Sequence, residues 1–198
     1  MKRNIFTTTL IAAAAVLLPV LIVSSFAGLG GRSAARNAGG SSVVTVHPHE
    51  EAVETANISG RRTTVFLAGT IDMGRSIDWQ ARADSLFSAL PAGDYMLFNP
   101  RQGSWDASKP GEMDYQVNWE LDHLERADWI LMNFLPDSRS PITLLELGLH
   151  ARSGRLLVIC PPEFYRYDNV RITCARYGVP MLGSLEDAVR HIGQNGRP

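Results

Sequence analysis

Glu146 stands as a lone carboxylate in an otherwise apolar run, Pro141-Ile142-Thr143-Leu144-Leu145-Glu146-Leu147-Gly148-Leu149-His150. Ser140 followed by Pro141 reads as the N-cap and first position of a helix. Glu146 then falls about one and a half turns in, beyond the first turn where acids serve as caps. At helical spacing it shares a face with Ile142, Thr143, Leu149 and His150, while Leu144, Leu147 and Ala151 line the opposite one. The helix is therefore apolar nearly all round and is expected to be buried. An unpaired buried carboxylate is expensive, so the position calls for a partner or a chemical task. A carboxylate so placed can serve as a nucleophile, dividing one hard displacement into two easier ones. The alternative is a structural acid on a partly exposed flank. His150, one turn on, could hydrogen-bond Glu146, but a single helical His is more often a packing or surface residue and is left out of the catalytic set.

The elements that must position this helix follow from the periodicity. Short apolar strands at 64–68, 95–98, 129–134, 156–160 and 179–182 alternate with helical patterns at 77–90, 115–127, 141–153, 170–177 and 185–192. Asn169 can cap the fourth helix, Gly178 can end it, and Ser184 with Asp187 forms a capping box for the last. Alternation of this kind gives an α/β fold: a doubly wound, flavodoxin-like three-layer sandwich on a five-stranded parallel sheet. Ligands of such sheets bind beyond the carboxyl ends of the strands. The segments there carry Gly69, Thr70 and Asp72 after the first strand, and Asn99, Arg101 and Trp105 after the second. Asn133 and the Glu146 helix follow the third. Arg101 suits an anion and Trp105 an aromatic base, with ordinary loop solvation as the other reading. The first turn lacks both a Walker pattern and a full GxGxxG, which disfavours a Rossmann cofactor enzyme.

Length and composition set the outer bounds. The chain has 198 residues, 45% of them hydrophobic and 20% charged, with a net charge of -1. That is one domain of ordinary size plus a tail, with no basic stripe for nucleic acid. Cys160 and Cys174 are too few for a disulfide framework, though a single bridge stays open, and no Cys/His spacing suggests a structural metal. Lys2 and Arg3 precede an apolar run over 10–23, so residues 1–30 read as a signal peptide or membrane anchor. Export or membrane attachment through this segment is expected, with organelle targeting or a misassigned start as alternatives. Residues 31–60, rich in Gly, Ser and Ala, read as a flexible linker to a domain over 61–198.

Four landmarks then carry a resemblance. They are the strand Val65-Phe66-Leu67-Ala68-Gly69; Trp119-Glu120 eight residues ahead of Ala127-Asp128-Trp129; Leu145-Glu146-Leu147-Gly148 with a following Gly154; and Asp168-Asn169-Val170. Together they resemble the nucleoside 2-deoxyribosyltransferase family in the broad sense that includes its hydrolytic relatives. The resemblance implies that Glu146 is the nucleophile toward C1′ of a 2-deoxyribose and that Glu120 contacts the base edge and helps it leave. It implies that Asn169 reaches the sugar in a neighbouring subunit's site, hence a homo-oligomer, although a plain N-cap accounts for Asn169 equally well. No cofactor is implied; the partners are a 2-deoxynucleoside or its 5′-monophosphate and a nucleobase. Asp128, at the start of the third strand, reads as a strand-initiating acid. Two positions depart from the family pattern: Phe66 replaces a tyrosine that orients the nucleophile, and Ser140 replaces an acid six residues before it. The implied activity is transfer of deoxyribose between bases. Hydrolysis by the same fold, or a catalytically silent nucleotide-binding module tethered at a membrane, are the alternatives.

Overall fold

The computed structural model describes residues 40–58, 60, 62–103, 106 and 108–198. Five short segments rich in β-branched and aromatic residues form one parallel sheet: β1 Ser42–Val46, β2 Thr63–Gly69, β3 Asp94–Phe98, β4 Trp129–Asn133 and β5 Leu156–Ile159. Their order is β1-β3-β2-β4-β5. Six α-helices accompany it among the described residues: α1 Glu51–Asn57, α2 Trp79–Ser88, α3 Glu112–Arg126, α4 Pro141–His150, α5 Tyr167–Tyr177 and α6 Leu185–Asn195.

The pleat divides the core in two. Phe66, Ala68, Met96, Phe98, Ile130 and Met132 pack with Trp119, Leu147 and Val170 of α3, α4 and α5. Val65, Leu67, Leu97, Leu131 and Leu157 pack instead with Trp79, Phe87, Val189 and Ile192 of α2 and α6. The result is the expected three-layer, doubly wound sandwich. The sheet changes direction of winding between β2 and β4, where Val65 pairs with Trp129 and Gly69 with Asn133. A Cβ on Gly69 would lie 2.3 Å from the Asn133 carbonyl oxygen, so only glycine lets these two strand ends approach so closely.

Five strands were expected and five are present, but one of them differs. Residues 179–182 contribute a single bridge between Val158 and Met181, because Pro180 has no N–H to donate and Gly178 has just ended α5 in the left-handed region. The fifth strand lies instead in the segment read as a linker. Ser-Val-Val-Thr-Val over Ser42–Val46 pairs in register with β3, Val46 opposite Phe98, and Val46 is fully buried. The Gly/Ser richness of the surrounding stretch masked this β-branched run. Helix α1 is likewise fastened to α3: Glu54 meets Arg126 at 2.8 Å and His123 at 3.3 Å, and His123 stacks on Trp119. Residues 42–57 are thus part of the domain.

The other expectations for the N-terminus also change. Among the described residues no helix is long and apolar enough to cross a membrane, so the expected membrane anchor is not met among them. The apolar leader itself lies outside the described residues. Cys160 and Cys174 are both buried and free; burial pushes their thiols up to about 12 and about 11, so both are inert core residues.

A chain starting at Ser59 would lose β1, including the buried Val44 and Val46. At ~1.5–3 kcal/mol per buried Val and a few degrees per kcal/mol, its thermal midpoint should fall by about 10 °C or more relative to a chain starting at Gly40. Equal midpoints in calorimetry would return residues 41–57 to the status of a tether.

Candidate active site

The carboxyl edge of the sheet gathers three groups of polar side chains. The first surrounds the start of α4. Asn133 ends β4, and its carbonyl accepts from the Thr70 amide at 3.0 Å. Thr70 is buried, and its Oγ1 accepts from the Leu135 amide at 3.1 Å and contacts Ser140 Oγ at 2.6 Å. Ser140 Oγ contacts Ser138 Oγ at 2.6 Å, and Ser138 donates to Asp72 Oδ1 at 3.0 Å. Each hydroxyl has one proton. With Asp72 accepting, the direction is fixed: Leu135 N–H to Thr70, Thr70 to Ser140, Ser140 to Ser138, Ser138 to Asp72. Ser140 precedes the helix as expected and Pro141 opens it, but Ser140 sits at φ 39° and its hydroxyl caps no helix amide. That hydroxyl is committed to the chain running from Thr70 to Asp72.

The second group surrounds Arg101. Its guanidinium donates to Gln80 Oε1 at 3.2 Å, Ser76 Oγ at 2.9 Å and the carbonyls of Ile77 and Gly74 at 3.2 and 3.4 Å, with Asp78 at 3.5 Å. These bonds hold the 74–80 loop against the end of β3. Asn99 accepts from the Arg101 amide at 3.0 Å and so shapes the same turn. Arg101 therefore clamps this loop. Trp105 lies outside the described residues.

The third group is the acid pair. Glu146, 7% exposed, is buried with Thr143 and Leu147 on the inner side of α4. The helix itself is not buried all round, since Ile142, Leu145 and Leu149 are 58–59% exposed. Apolar residues on its outer side misled the expectation, because periodicity cannot distinguish a core face from an exposed apolar one. Among the described residues no group hydrogen-bonds the Glu146 carboxyl. Burial, and then the charge of Glu120 on α3, push its pKa up to about 8. Glu120 is raised as well, by burial, with a hydrogen bond from Gln116 Nε2 at 2.7 Å pulling the other way. Such a pair holds one charge and one proton more easily than two charges.

Asn169 is not with them. It is the third residue of α5 and no cap, because the chain turns into the helix at Arg166. It lines a groove with Leu144, Gly148 and Arg166, which at 100° per residue is the side of α4 opposite Glu146. Phe66 is fully buried against Trp119, with ring centroids 6.2 Å apart, so it brings no hydroxyl to the acids. Asp128 accepts from the Thr64 amide and hydroxyl at 2.8 and 2.9 Å and so pins β2 to the start of β4, at the opposite edge of the sheet. His150 is lowered by burial and by Arg155.

Sequence reasoning missed Ser138, Gln102, Gln116, Glu112 and two histidines, His49 and His47, whose Nδ1 meets the Arg101 carbonyl at 2.9 Å. Gln116 lies one helical turn before Glu120, a spacing that signals contact. The histidines lay in the stretch read as linker.

The raised Glu146 predicts a pH dependence of stability. Its unfolded value is near 4.5 and its folded value about 8. Between these the folded state holds a proton that the unfolded chain has released. Stability therefore falls as pH rises through that window and levels off above it. At ~1.4 kcal/mol per pH unit the ceiling is several kcal/mol, shared with Glu120. Glu146→Gln should flatten denaturation free energies between about pH 5 and about pH 8 and exceed wild type at the upper end. Parallel pH curves for the two proteins would contradict the burial of this acid.

Curated protein sequences offer no match. Among solved structures, the crystal structure of a conserved protein from Enterococcus faecalis V583 aligns over 67% of this chain and 98% of its own, at 13% identity and a TM-score of 0.47. The model of the "nucleoside 2-deoxyribosyltransferase like" family matches residues 62–164, which run from β2 through the acid pair to the end of β5 and make up just over half of the chain. The protein belongs to the nucleoside 2-deoxyribosyltransferase-like family.

Proposed function

We propose that the protein cleaves the N-glycosidic bond of a 2-deoxynucleoside, or of its 5′-monophosphate, and transfers the sugar to a second base. The observation that carries this reading is the buried Glu146 on α4, whose ionisation is opposed by burial and by the charge of Glu120 on α3. In the reactive form the pair's single proton lies on Glu120 and Glu146 is ionised, the reverse of the arrangement that burial favours at rest. A Glu146 oxygen bonds to C1′ as the C1′–N bond breaks, and that electron pair goes to the departing base, which takes the Glu120 proton. A second base then attacks C1′ through its ring nitrogen, releases the Glu146 carboxylate and returns a proton to Glu120. Low water access at the pair favours this acceptor, and a water molecule in its place would give hydrolysis.

Gly69, Thr70, Asp72 and Asn133 surround the start of α4, and in this reading they shape the sugar side of the site. Asn99 and Arg101 hold its wall. The two acids require opposite protonation states, so activity should fall on both sides of an optimum. It declines below the pair's first ionisation, where both acids are protonated, and above the second, where neither carries a proton.

The reading includes a second copy of the chain. Ile142, Leu145 and Leu149 on α4 and Met113, Val117 and Leu121 on α3 are 38–59% exposed and form two apolar rows on neighbouring helices beside the acids. Such exposed apolar rows support an interface with a second copy. Asn169, which faces away from its own Glu146, would serve the partner's site.

Two experiments test these statements. Purified protein is incubated with deoxynucleosides, with and without a free second base, and the products are separated by chromatography. Base exchange that requires the second base supports transfer, and free deoxyribose indicates hydrolysis instead. Glu146→Gln should lower turnover by at least about a thousandfold, as loss of a covalent nucleophile does. Turnover retained by that variant, or absent in wild type, removes the reading. For the interface, Leu145→Glu with Leu149→Glu should convert the oligomer to monomer in light scattering and reduce activity; a wild-type monomer would remove the second copy.

A further inference from the structure

Helix α3 presents Gln116 one turn before Glu120, and every hydrogen-bonding atom of that amide is engaged. Gln116 Nε2 donates to the Pro100 carbonyl at 3.0 Å and to Glu120 Oε1 at 2.7 Å. Its Oε1 accepts from Gln102 Nε2. Gln102 Nε2 gives its second proton to Glu112 Oε1 at 3.3 Å. Glu112, 5% exposed, also takes His49 Nε2 at 2.9 Å on the same oxygen and lies 3.4 Å from Lys109 Nζ. His49 stacks flat on Tyr115 at 4.0 Å, and its amide donates to the Tyr115 hydroxyl at 2.8 Å. A continuous chain thus runs from His49, just after β1, to Glu120.

The chain has only one possible polarity. A backbone carbonyl can only accept, so the face of Gln116 toward Pro100 must be the NH₂. Rotating the amide would set its oxygen against the Pro100 carbonyl and the Glu120 carboxyl together, and would set its NH₂ against that of Gln102. Gln102 is fixed in turn by the Glu112 carboxylate, which His49 and Lys109 keep in its charged form; the hydrogen bond from His49 is the main influence holding the Glu112 pKa low. Both ends of the chain are acceptors and both amides donate outward. It follows that Glu120 Oε1 always receives a proton from Gln116. Any proton that Glu120 itself carries is on Oε2.

We propose that Gln116 is a positioning residue that confines the Glu120 proton to Oε2, and that His49, Glu112 and Gln102 lock it in that orientation. This rests on the proposed role of Glu120 as the group that protonates the leaving base, and it adds which oxygen does so and what holds it. It also gives β1 and the turn after it a task. Residues 42–57 lie outside the 62–164 span of the family match, yet they supply the far end of the chain that orients an acid inside it. The groups facing Glu120 are few: Glu146 from α4, Gln116 on its own helix, and through the amides Glu112, with His49 from the β1 side and Lys109 from the loop before α3.

The test reads the acid itself, separately from catalysis. Full-length protein is labelled with ¹³C at glutamate side-chain carboxyls, Glu120 is assigned with Glu120→Gln, and its titration is followed by NMR in wild type, Gln116→Leu and Gln102→Leu. Removing the Gln116 donor deletes a hydrogen bond to the charged form, so Glu120 should titrate at higher pH in Gln116→Leu. Gln102→Leu, which changes a loop residue and leaves α3 intact, should move it in the same direction by less, because Gln116 is then free to turn. In the chromatographic assay both variants should shift the alkaline limb of the pH profile upward and lower kcat by roughly tenfold to a hundredfold, with KM changed little. An unmoved Glu120 titration in both folded variants overturns the proposal, whatever the activity. A moved titration in a protein that cleaves no deoxynucleoside upholds the lock on Glu120 and removes the proposed function instead.

Discussion

Two carboxyl groups share the carboxyl edge of this sheet, Glu146 buried on α4 and Glu120 half-buried on α3. Burial resists ionisation of each, and the charge on one resists ionisation of the other. The pair therefore settles near one proton and one negative charge across neutral pH. That is an unfavourable arrangement for folding, and the fold contains no nearby cation that relieves it among the described residues. Stability lost at one place must be recovered elsewhere, and here it is recovered in two cores packed on either face of a fully parallel sheet.

The rest of the edge reads as the means of holding those acids in place. A chain of hydroxyls, Thr70, Ser140, Ser138 and Asp72, fixes the start of α4 and so the height of Glu146 above the sheet. A chain of amides, Gln102 and Gln116, fixes the carboxyl of Glu120. Arg101 ties the loop after β2 to the end of β3. None of these groups needs to touch substrate to matter, since an error of about an ångström at a reacting carboxylate is enough to lose most of a rate. The close approach of Gly69 to Asn133 serves the same end by letting β2 and β4 end side by side.

Much of this was legible before any coordinates. Alternating apolar strands and helices gave the layered fold, and the position of Glu146 in an apolar helix marked the site. The missed features share a physical cause: they depend on contacts distant in sequence. Val46 belongs to a strand only because β3 leaves an edge 52 residues later to pair with it, at Phe98. Arg101 looked like an anion ligand because its partners, Gln80 and Ser76, are fixed by the path of another loop. Ile142, Leu145 and Leu149 looked like core because apolar residues turned toward solvent have the same periodicity as those turned inward. Asn169 looked like a cap because the helix begins three residues earlier than its apolar pattern does.

The central claim is that Glu146 forms a covalent bond to a deoxyribose carbon. Mixing the protein with a deoxynucleoside, quenching in acid within the first turnovers and digesting it for mass spectrometry reads that bond directly. The account predicts a deoxyribosyl adduct on the peptide containing Glu146, which disappears when a second base is added before the quench and is absent from Glu146→Gln. Base release by wild type with no adduct at any quench time, or an adduct on another residue, would contradict it.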